Sequence, residues 1–578
     1  MNKEELNANY KLWCENAKTD PDLIKELQEI KGDDEAILDR FYRELEFGTA
    51  GLRGVIGAGP NRMNYYTVRK ATQGLAGYVK AQNLNASVAI AYDSRIKSDY
   101  FSRTAAEVLA GNGIKVHMYR ELMPTPMLSF AVRYLKCDAG INVTASHNPA
   151  KFNGYKAYGA DGCQIGEDVA DAVLAISAKL DIFNDIKSLE FGKALEQGLI
   201  QYIDDSVSEA YYDEVKKQAI HPESGREAGL KVVFTPLNGA GNKPVRRILN
   251  DMGITDITVV PEQEMPDGNF PTCPYPNPEF REALELGLEL CKKVKPDLLL
   301  ATDPDCDRVG IAVPDDAGEE NYVLFSGNEV GVMLLEYIAR ERIATGTMPA
   351  KPIAVKSIVT TTLTEEVGRE YGVEIIATLT GFKNICGIVA ELEKTNEEAR
   401  FVYGFEESYG YVSGTYVRDK DAVVASMLIC EMAAFYRREG ISLIQARTNM
   451  YEKYGVFNNS VDNFAFEGAS GMKKMGKIMQ GLRDCNSYPR EIAGIKVIAF
   501  SDFEASEKLG LASGTKTAIN LPKTNMVIFD LEDGASVIVR PSGTEPKIKV
   551  YYTTVGKTQQ EAEAIRQKLS GRMKGFFK

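Results

Sequence analysis

The sequence predicts an α/β protein: three similar mixed-sheet α/β domains followed by a C-terminal α+β domain. Three observations carry that prediction. Short runs rich in Val, Ile and Leu alternate with helical segments, the order that builds sheets covered by helices. The alternation restarts near Leu230 and again near Phe325. Beyond about Met526, strands instead follow one another across tight turns, with one helix at the end. At roughly 100–200 residues per domain, a chain of 578 residues accommodates four such units, which we place at 1–205, 206–322, 323–448 and 449–578.

In chain order, residues 1–45 read as a polar helical arm. Ser87–Tyr92 reads as a buried strand, Tyr100–Ala110 as a helix, Lys115–Met118 as a strand, Pro126–Leu135 as a helix and Ala139–Val143 as a strand. The second round has strands at Leu230–Pro236, Ile254–Pro261 and Asp297–Ala301, and helices at Asn242–Met252 and Phe280–Val294. Lys292 and Lys293 stand in the last turn of the latter helix, where they complement its dipole. The third has helices at Gly327–Arg342 and Thr362–Tyr371, strands at Pro352–Ile358 and Val373–Ala377, and a short strand led by Phe401–Val402. Ala422–Tyr436 is apolar enough to be a buried helix. The tail has strands at Met526–Asp530, Ser536–Val539 and Lys547–Val555, and an amphipathic helix at Gln559–Leu569.

Composition narrows the function classes. A net charge of −13 disfavours nonspecific nucleic-acid binding, which depends on Lys and Arg neutralising phosphates. It leaves room for a small anionic substrate held by a local basic cluster. The nine cysteines are odd in number and contain no C-x-x-C, and there are three histidines, so neither a zinc ribbon nor a disulfide framework is indicated. No run of 18 apolar residues occurs and the N-terminus lacks a signal-peptide core. The expectation is a cytoplasmic protein with no membrane partner; oligomeric state is not readable.

Several loops just beyond strands combine glycine or proline with polar residues, and strand ends are where open α/β sheets place ligands. Thr144–Pro149 (TASHNP) offers Ser146 as a nucleophile, although read alone the stretch is more often a turn capped by its serine and asparagine. Asp303, Asp305 and Asp307 alternate through DPDCDR and can converge on one hard cation such as Mg²⁺. An EF-hand is excluded, because Arg308 stands where its glycine belongs and Pro314 where its glutamate belongs. Three uncompensated carboxylates this close would repel one another without a cation. Gly404–Gly410 (GFEESYG) suits hydrogen bonding to sugar hydroxyls, or is a polar turn. Arg540–Lys547 (RPSGTEPK) suits a phosphate cradle, or is a capped strand end. Arg53 lies among three glycines, Lys383 in the loop with Thr380 and Gly381, and Lys156 ten residues beyond Ser146.

The order TASHNP, NGYK, DPDCDR, TGFK, GFEES, RPSGTEPK resembles that of the α-D-phosphohexomutase superfamily, the phosphoglucomutase/phosphomannomutase family. FGTAGLRG, AYDSR and DGNFPTCPYPNPE support the resemblance, which spans nearly the whole chain. It implies four domains around a central active-site cleft and a serine, Ser146, that is phosphorylated in the resting enzyme. It implies Mg²⁺ held by Asp303, Asp305, Asp307 and the seryl group. Sugar contacts fall to Glu406 and Ser408, with Thr380 and Gly381 nearby. Phosphate contacts fall to Arg540, Ser542, Gly543 and Thr544. Arg53, Lys156 and Arg308 flank the transferring group. Lys156, Lys383 and His147 are candidates for general acid–base duty, a lysine being usable if burial or neighbouring cations lower its pKa.

The implied reaction is reversible phosphoryl transfer between C1 and C6 of glucose phosphate, with glucose 1,6-bisphosphate as intermediate and activator. Length, AGLRG and TLTGFK lean toward the longer branch, with its bacterial phosphoglucomutases and phosphopentomutase-like enzymes. Phosphomannomutase, phosphopentomutase and sugar 1,6-bisphosphate synthase activities are the alternatives. Cys306 and Pro304 replace the small spacers common among relatives; the soft thiol is expected to turn away from a hard cation.

Overall fold

The structure, a computed structural model, describes residues 3–48, 51–315, 318–466, 468–484, 489–542 and 547–577. Two compact units emerge: Met1–Gly327 with Ile385–Gly440, and Asn328–Asn384 with Ile441–Lys578.

The first unit holds a six-stranded mixed sheet. Ser87–Tyr92 lies at its centre, parallel to Ala139–Val143 and to Lys115–Met118, and Ile200–Tyr202 extends it in parallel. Phe152–Gly159 then runs antiparallel to Ala139–Val143, and Leu52–Val55 antiparallel to Phe152–Gly159. Helices cover both faces, so the central strands read as continuous apolar runs; Val88, Ile90, Val116, Ile141 and Val143 are fully buried. Strands expected at Ser87–Tyr92, Lys115–Met118 and Ala139–Val143 occur with those limits.

A five-stranded sheet repeats the plan. Lys231–Thr235 is parallel to Leu298–Thr302 and to Asp256–Val259. Val309–Asp315 returns antiparallel to Leu298–Thr302, and Gly318–Phe325 pairs antiparallel with Val309–Asp315. Further along, Phe401–Glu406 turns directly into antiparallel Gly410–Val412. Three of the loops singled out above thus occupy one kind of place: the connection from a strand to its antiparallel neighbour. A short hairpin concentrates side chains that a long crossover would scatter.

The N-terminal arm is helical, as expected, but not merely polar. Helices Lys3–Asn16, Pro21–Glu29 and Asp34–Phe41 close around Trp13, which meets Phe41, Tyr66 and Phe183 edge-on. The apolar segment at 422–436 is the buried helix Ala422–Arg438, with Asp421 capping its start by accepting from the Val423 and Val424 amides.

In the second unit, Ile353–Ser357 pairs in parallel with Glu374–Thr378. Its C-terminal part is an antiparallel sheet in which Val456–Ala465, Lys547–Gly556, Ser536–Pro541, Val527–Leu531 and Ile495–Asp502 succeed one another. Helices Gly468–Arg483 and Gln559–Phe577 cover it over a core that includes Phe529, Val537 and Val550. The eight described cysteines are free thiols; Cys485 lies outside the described residues. Among the described residues no helix is long and apolar enough to cross a membrane.

Candidate active site

Strand register fixes the first half of the site. Asn142 stands opposite Lys156, so the loop from Thr144 to Lys151 carries Ser146 out beyond the strand pair while Lys156 lies beneath it. Gly154 is there because nothing larger fits: a Cβ would meet the Thr144 carbonyl oxygen at 2.4 Å. Ser146 adopts a left-handed backbone (φ 49), uncommon outside glycine and a place where strain is held by surroundings. Those surroundings are explicit. The Ser146 amide donates to Thr144 Oγ1 (2.8 Å), and Thr144 donates to Asp93 Oδ2 (2.6 Å). Arg95, fully buried beside Asp93, donates to the carbonyls of Ser146 (3.1 Å from Nε), Pro149 (3.1 Å) and Phe152 (3.0 Å), and also to that of Asn148.

Arg95→Ala removes this cradle. A displacement of about 1 Å at a reacting atom costs on the order of 100-fold, so kcat is expected to fall by about that factor with little change in KM. Steady-state kinetics checks it; an unchanged kcat would show that the loop holds itself.

The second half is the acidic hairpin. Thr302 pairs with Val309, leaving Asp303–Arg308 as the turn. Cys306 takes a left-handed backbone (φ 51) and is fully buried; its thiol comes within 3.0 Å of the Cβ position of Gly241. The three aspartates are at most 1% exposed, and one oxygen from each lies within 4.8 Å of the others. Asp303 Oδ1 accepts the amides of Asp307 and Arg308, both at 3.0 Å. Its Oδ2 accepts from Ser146 Oγ at 2.8 Å, joining the serine loop to the acids. Asp305 Oδ2 accepts from Thr125 Oγ1 (2.8 Å) and from Lys156 Nζ (2.7 Å).

One expectation needs correction here. The aspartates are not uncompensated: Lys156 Nζ is also 3.3 Å from Asp307 Oδ2, and Lys420 Nζ is 3.1 Å from the same oxygen and 3.2 Å from Asp419 Oδ1. Compensation is still incomplete. Burial, then the charges of Asp305 and Asp307, raises Asp303 well above the ordinary carboxylate range. Burial would also raise Asp305, but the Lys156 ammonium and hydrogen bonds from Asp303 and Thr125 hold it below that range. Asp305 Oδ1 and Asp307 Oδ1 are buried with no hydrogen-bond partner. Oxygen-only donors, two of them unsatisfied, fit a hard divalent cation such as Mg²⁺.

Lys156 departs from the condition set for a basic lysine. Burial pulls its pKa down, yet Asp305 and Asp307 outweigh that and keep it raised, hence an ammonium. His147 places Nδ1 3.2 Å from Ser146 Oγ. Burial, then Arg308 and Arg53, pushes this imidazole well below its ordinary pKa, so it is neutral at pH 7. Arg53, opposite Gly154 on the neighbouring strand, lies in the field of Asp305, Arg308 and Asp307.

Arg308 ties the acidic turn to the third loop, donating to the Ser408 carbonyl at 3.1 Å while Val309 donates to the Tyr409 carbonyl at 3.1 Å. Glu406, 7% exposed, ends its strand opposite Gly410, and Tyr409 is again left-handed (φ 67). The first unit therefore brings together Ser146, His147, Lys156, Asp303, Asp305, Asp307 and Arg308, with Arg53 in their field and Glu406 and Ser408 on the adjoining hairpin.

Thr380, Gly381, Lys383, Arg540 and Ser542 belong to the second unit. Gly381 has the positive φ (108) its turn requires, and Lys383 stands in the first turn of the helix Phe382–Lys394. Arg540 ends the strand Ser536–Pro541, and the Ser542 amide donates to Lys547 O at 2.8 Å. Gly543 and Thr544 lie outside the described residues.

Sequence reasoning missed Arg95, Thr125, Asp419 and Lys420. AYDSR was noted only as a similarity. The run Arg418-Asp419-Lys420-Asp421 ahead of a buried helix was the available signal: four charges there demand internal pairing.

Four sequence families match in succession: the phosphoglucomutase/phosphomannomutase alpha/beta/alpha domain I over 44–182, domain II over 209–318, domain III over 326–454, and the C-terminal domain over 498–571. The phosphoglucomutase of Staphylococcus haemolyticus is 35% identical over 537 residues, covering 92% of this chain and 94% of that protein. That of Staphylococcus aureus strain NCTC 8325 is 37% identical over 542 residues, covering 93% and 94%. Parafusin, a Paramecium phosphoglucomutase solved in an open form, shares the fold with a TM-score of 0.68 at 19% identity, covering 93% of this chain and 94% of that one. A family protein from Burkholderia thailandensis does so with a TM-score of 0.64 at 17% identity, covering 92% and 97%. With all four domains matched in order and relatives aligned over more than nine-tenths of both chains, the chain belongs to the phosphoglucomutase/phosphomannomutase family.

Proposed function

We propose that this protein is a cytoplasmic hexose-phosphate mutase that interconverts glucose 1-phosphate and glucose 6-phosphate through a phosphorylated Ser146. The observation that carries this reading is the 2.8 Å contact between Ser146 Oγ and Asp303, inside a buried acid trio with two unsatisfied oxygens. Membership of the family and the phosphoglucomutase relatives support glucose as the sugar.

In the forward step the P–Oγ bond of phosphoserine breaks and a bond from phosphorus to the free hydroxyl of the sugar monophosphate forms. The hydroxyl proton leaves to a base, and Ser146 Oγ regains one. The product, glucose 1,6-bisphosphate, turns end over end and returns its other phosphoryl group to Ser146. The same bisphosphate activates enzyme that lacks the seryl phosphate. Phosphoryl transfer asks chiefly for in-line positioning and neutralised oxygens. Lys156, as an ammonium, and Arg308 and Arg53 supply fixed positive charge. Neutral His147, 3.2 Å from Oγ, stands where the serine proton must leave and return. Asp303, Asp305, Asp307 and the seryl oxygen would hold Mg²⁺, which when bound supplies further charge neutralisation at the transferring group. We assign the sugar hydroxyls to Glu406 and Ser408, and the remote phosphate to the loop bearing Arg540, Ser542, Gly543 and Thr544. Thr380, Gly381 and Lys383 join them as substrate contacts. The domain limits that accompany this reading are 1–205, 206–322, 323–448 and 449–578.

The test compares kcat/KM for glucose 1-, mannose 1- and ribose 1-phosphate, with and without Mg²⁺ and glucose 1,6-bisphosphate. Glucose 1-phosphate is expected to lead by at least about tenfold, the discrimination one or two hydroxyl contacts supply. A higher value for mannose or ribose phosphate would move the enzyme to the corresponding mutase. Net synthesis of sugar bisphosphate from 1,3-bisphosphoglycerate, with no mutase turnover, would replace it with a synthase.

A further inference from the structure

The first unit has a cavity of about 610 Å³ next to the acidic turn, and none of the candidate site residues lines it. Its volume is in the range of small-molecule sites. Tyr92, Tyr212, Met123, Met265 and Leu122 give it an aromatic and thioether lining, and Gly239 and Ala240 form part of its wall. Such a lining accepts a flat apolar group, and methionine adapts to its outline.

The charges around the cavity decide what else the ligand carries. Lys243 pairs with Glu121, and Glu209 with Arg247 at 2.9 Å. Two charges remain. The Arg120 guanidinium stacks over Tyr202 at 4.2 Å and has no ion pair or hydrogen-bond acceptor among the described residues. The Asp205 carboxylate, also lining the cavity, has no donor among them. These two leave the same end of the sheet together. Met118 and Tyr202 are register partners on parallel strands, and Ile203 N donates to Met118 O at 2.9 Å, so Arg120 and Asp205 follow on neighbouring chains. An exposed cation and an exposed anion that line one cavity without pairing with each other, next to an aromatic lining, complement a zwitterion with an aromatic side chain. A polyphosphate is opposed by the unpaired Asp205 carboxylate, and Lys243, the other cation on the lining, is already held by Glu121.

The walls of the cavity end on the acidic turn. Ala240 N donates to Pro304 O at 2.8 Å, and a Cβ on Gly239 would stand 2.4 Å from Pro304 Cα, so the two chains are in direct contact. On the other side, two residues past Met123, Thr125 donates to Asp305 through both its amide (2.9 Å) and its hydroxyl (2.8 Å). A ligand that moves either wall reaches the acidic turn, at Pro304 on one side and through Thr125 at Asp305 on the other.

We propose that this cavity binds an aromatic α-amino acid, its carboxylate on Arg120 and its ammonium on Asp205, and that occupancy is coupled to the aspartate turn. Calorimetric titration of the full-length protein with L-tryptophan tests it without any turnover, so its outcome is independent of the mutase reading. Binding is expected at about millimolar concentration or tighter, the range open to a ligand of this size. Indole-3-propionate, which lacks the ammonium, and tryptamine, which lacks the carboxylate, are each expected to bind at least about tenfold more weakly. Arg120→Ala and Asp205→Asn, surface changes away from the catalytic machinery, are expected to weaken L-tryptophan by a similar factor. Saturation with L-tryptophan is expected to shift the Mg²⁺ dissociation constant by about threefold or more, and Mg²⁺ to shift that of tryptophan by the same factor, as linkage requires. No heat from either L-tryptophan or L-phenylalanine at 10 mM, about tenfold above that limit, would overturn the site. So would binding indifferent to the half-ligands or to both variants. An unchanged Mg²⁺ affinity would overturn the coupling.

Discussion

Replacing Ser146 with alanine is expected to lower kcat for glucose 1-phosphate by at least about 10⁴-fold, the scale on which loss of a covalent nucleophile acts. The expectation follows from what alanine removes and what it leaves. It removes the atom that the proposed mechanism uses to carry phosphate between the two ends of the sugar. It leaves the Arg95 cradle, which reads only backbone carbonyls on this loop, and it leaves the acid trio intact. Binding of sugar phosphate should therefore persist within a few-fold. Incubation with labelled glucose 1,6-bisphosphate should label the native protein and not the variant. Residual turnover above about 1% of native, ruled out by an effect of that size, would show that phosphate moves through another group. Equal labelling of both proteins would show the same.

Much of this site was legible in the sequence because chemistry and topology coincide there. Each loop lies where an apolar strand stops, and a strand buried on both faces is the easiest element to read: Ser87–Tyr92 and Ala139–Val143 came out with their observed limits. The antiparallel returns were not read. Phe152–Gly159 contains two glycines and a lysine, and it is a strand because Ala139–Val143 and Leu52–Val55 flank it. Its propensity alone would not make it one. That strand carries Lys156 to Asp305, a contact between residues 149 positions apart that no local pattern encodes. The protonation state of Lys156 was misjudged for a related reason. Burial and neighbouring cations act on it as foreseen, but two carboxylates brought from the other sheet reverse the sign. Lys420 was invisible for the opposite reason. In sequence it is one charge in a run of four, and only the fold shows it bonded to Asp307.

The largest effect on stability should come from the acid trio, and its sign depends on whether a cation is present. Burial, followed by the charges of Asp305 and Asp307, raises the pKa of Asp303 in the folded protein. In the unfolded chain it titrates near 3.9. A carboxyl with a raised folded pKa binds more protons in the native state. Its contribution is complete below about pH 4 and is lost as pH climbs through its folded value. Asp305, held low by Lys156 against its burial, acts in the opposite sense, but its window lies below about pH 4 and leaves the range above flat. Metal-free protein should therefore lose stability between pH 5 and pH 8 by more than Asp303→Asn does, since the amide removes that titration. Mg²⁺ should reverse the loss. At about 100 times its dissociation constant, a ligand specific for the native state adds about 2.7 kcal/mol. Asp303→Asn should gain much less from Mg²⁺, because one of the three oxygen donors has lost its charge, and its kcat should fall by about 10³-fold. Thermal unfolding of both proteins at pH 5 and pH 8, in chelator and in excess Mg²⁺, checks all four corners. If the variant matched the native protein in chelator at both pH values, Asp303 would have to be ionised in the metal-free state. Lys156 and Lys420 would then suffice to neutralise the trio, and the case for a bound cation would lose its electrostatic basis.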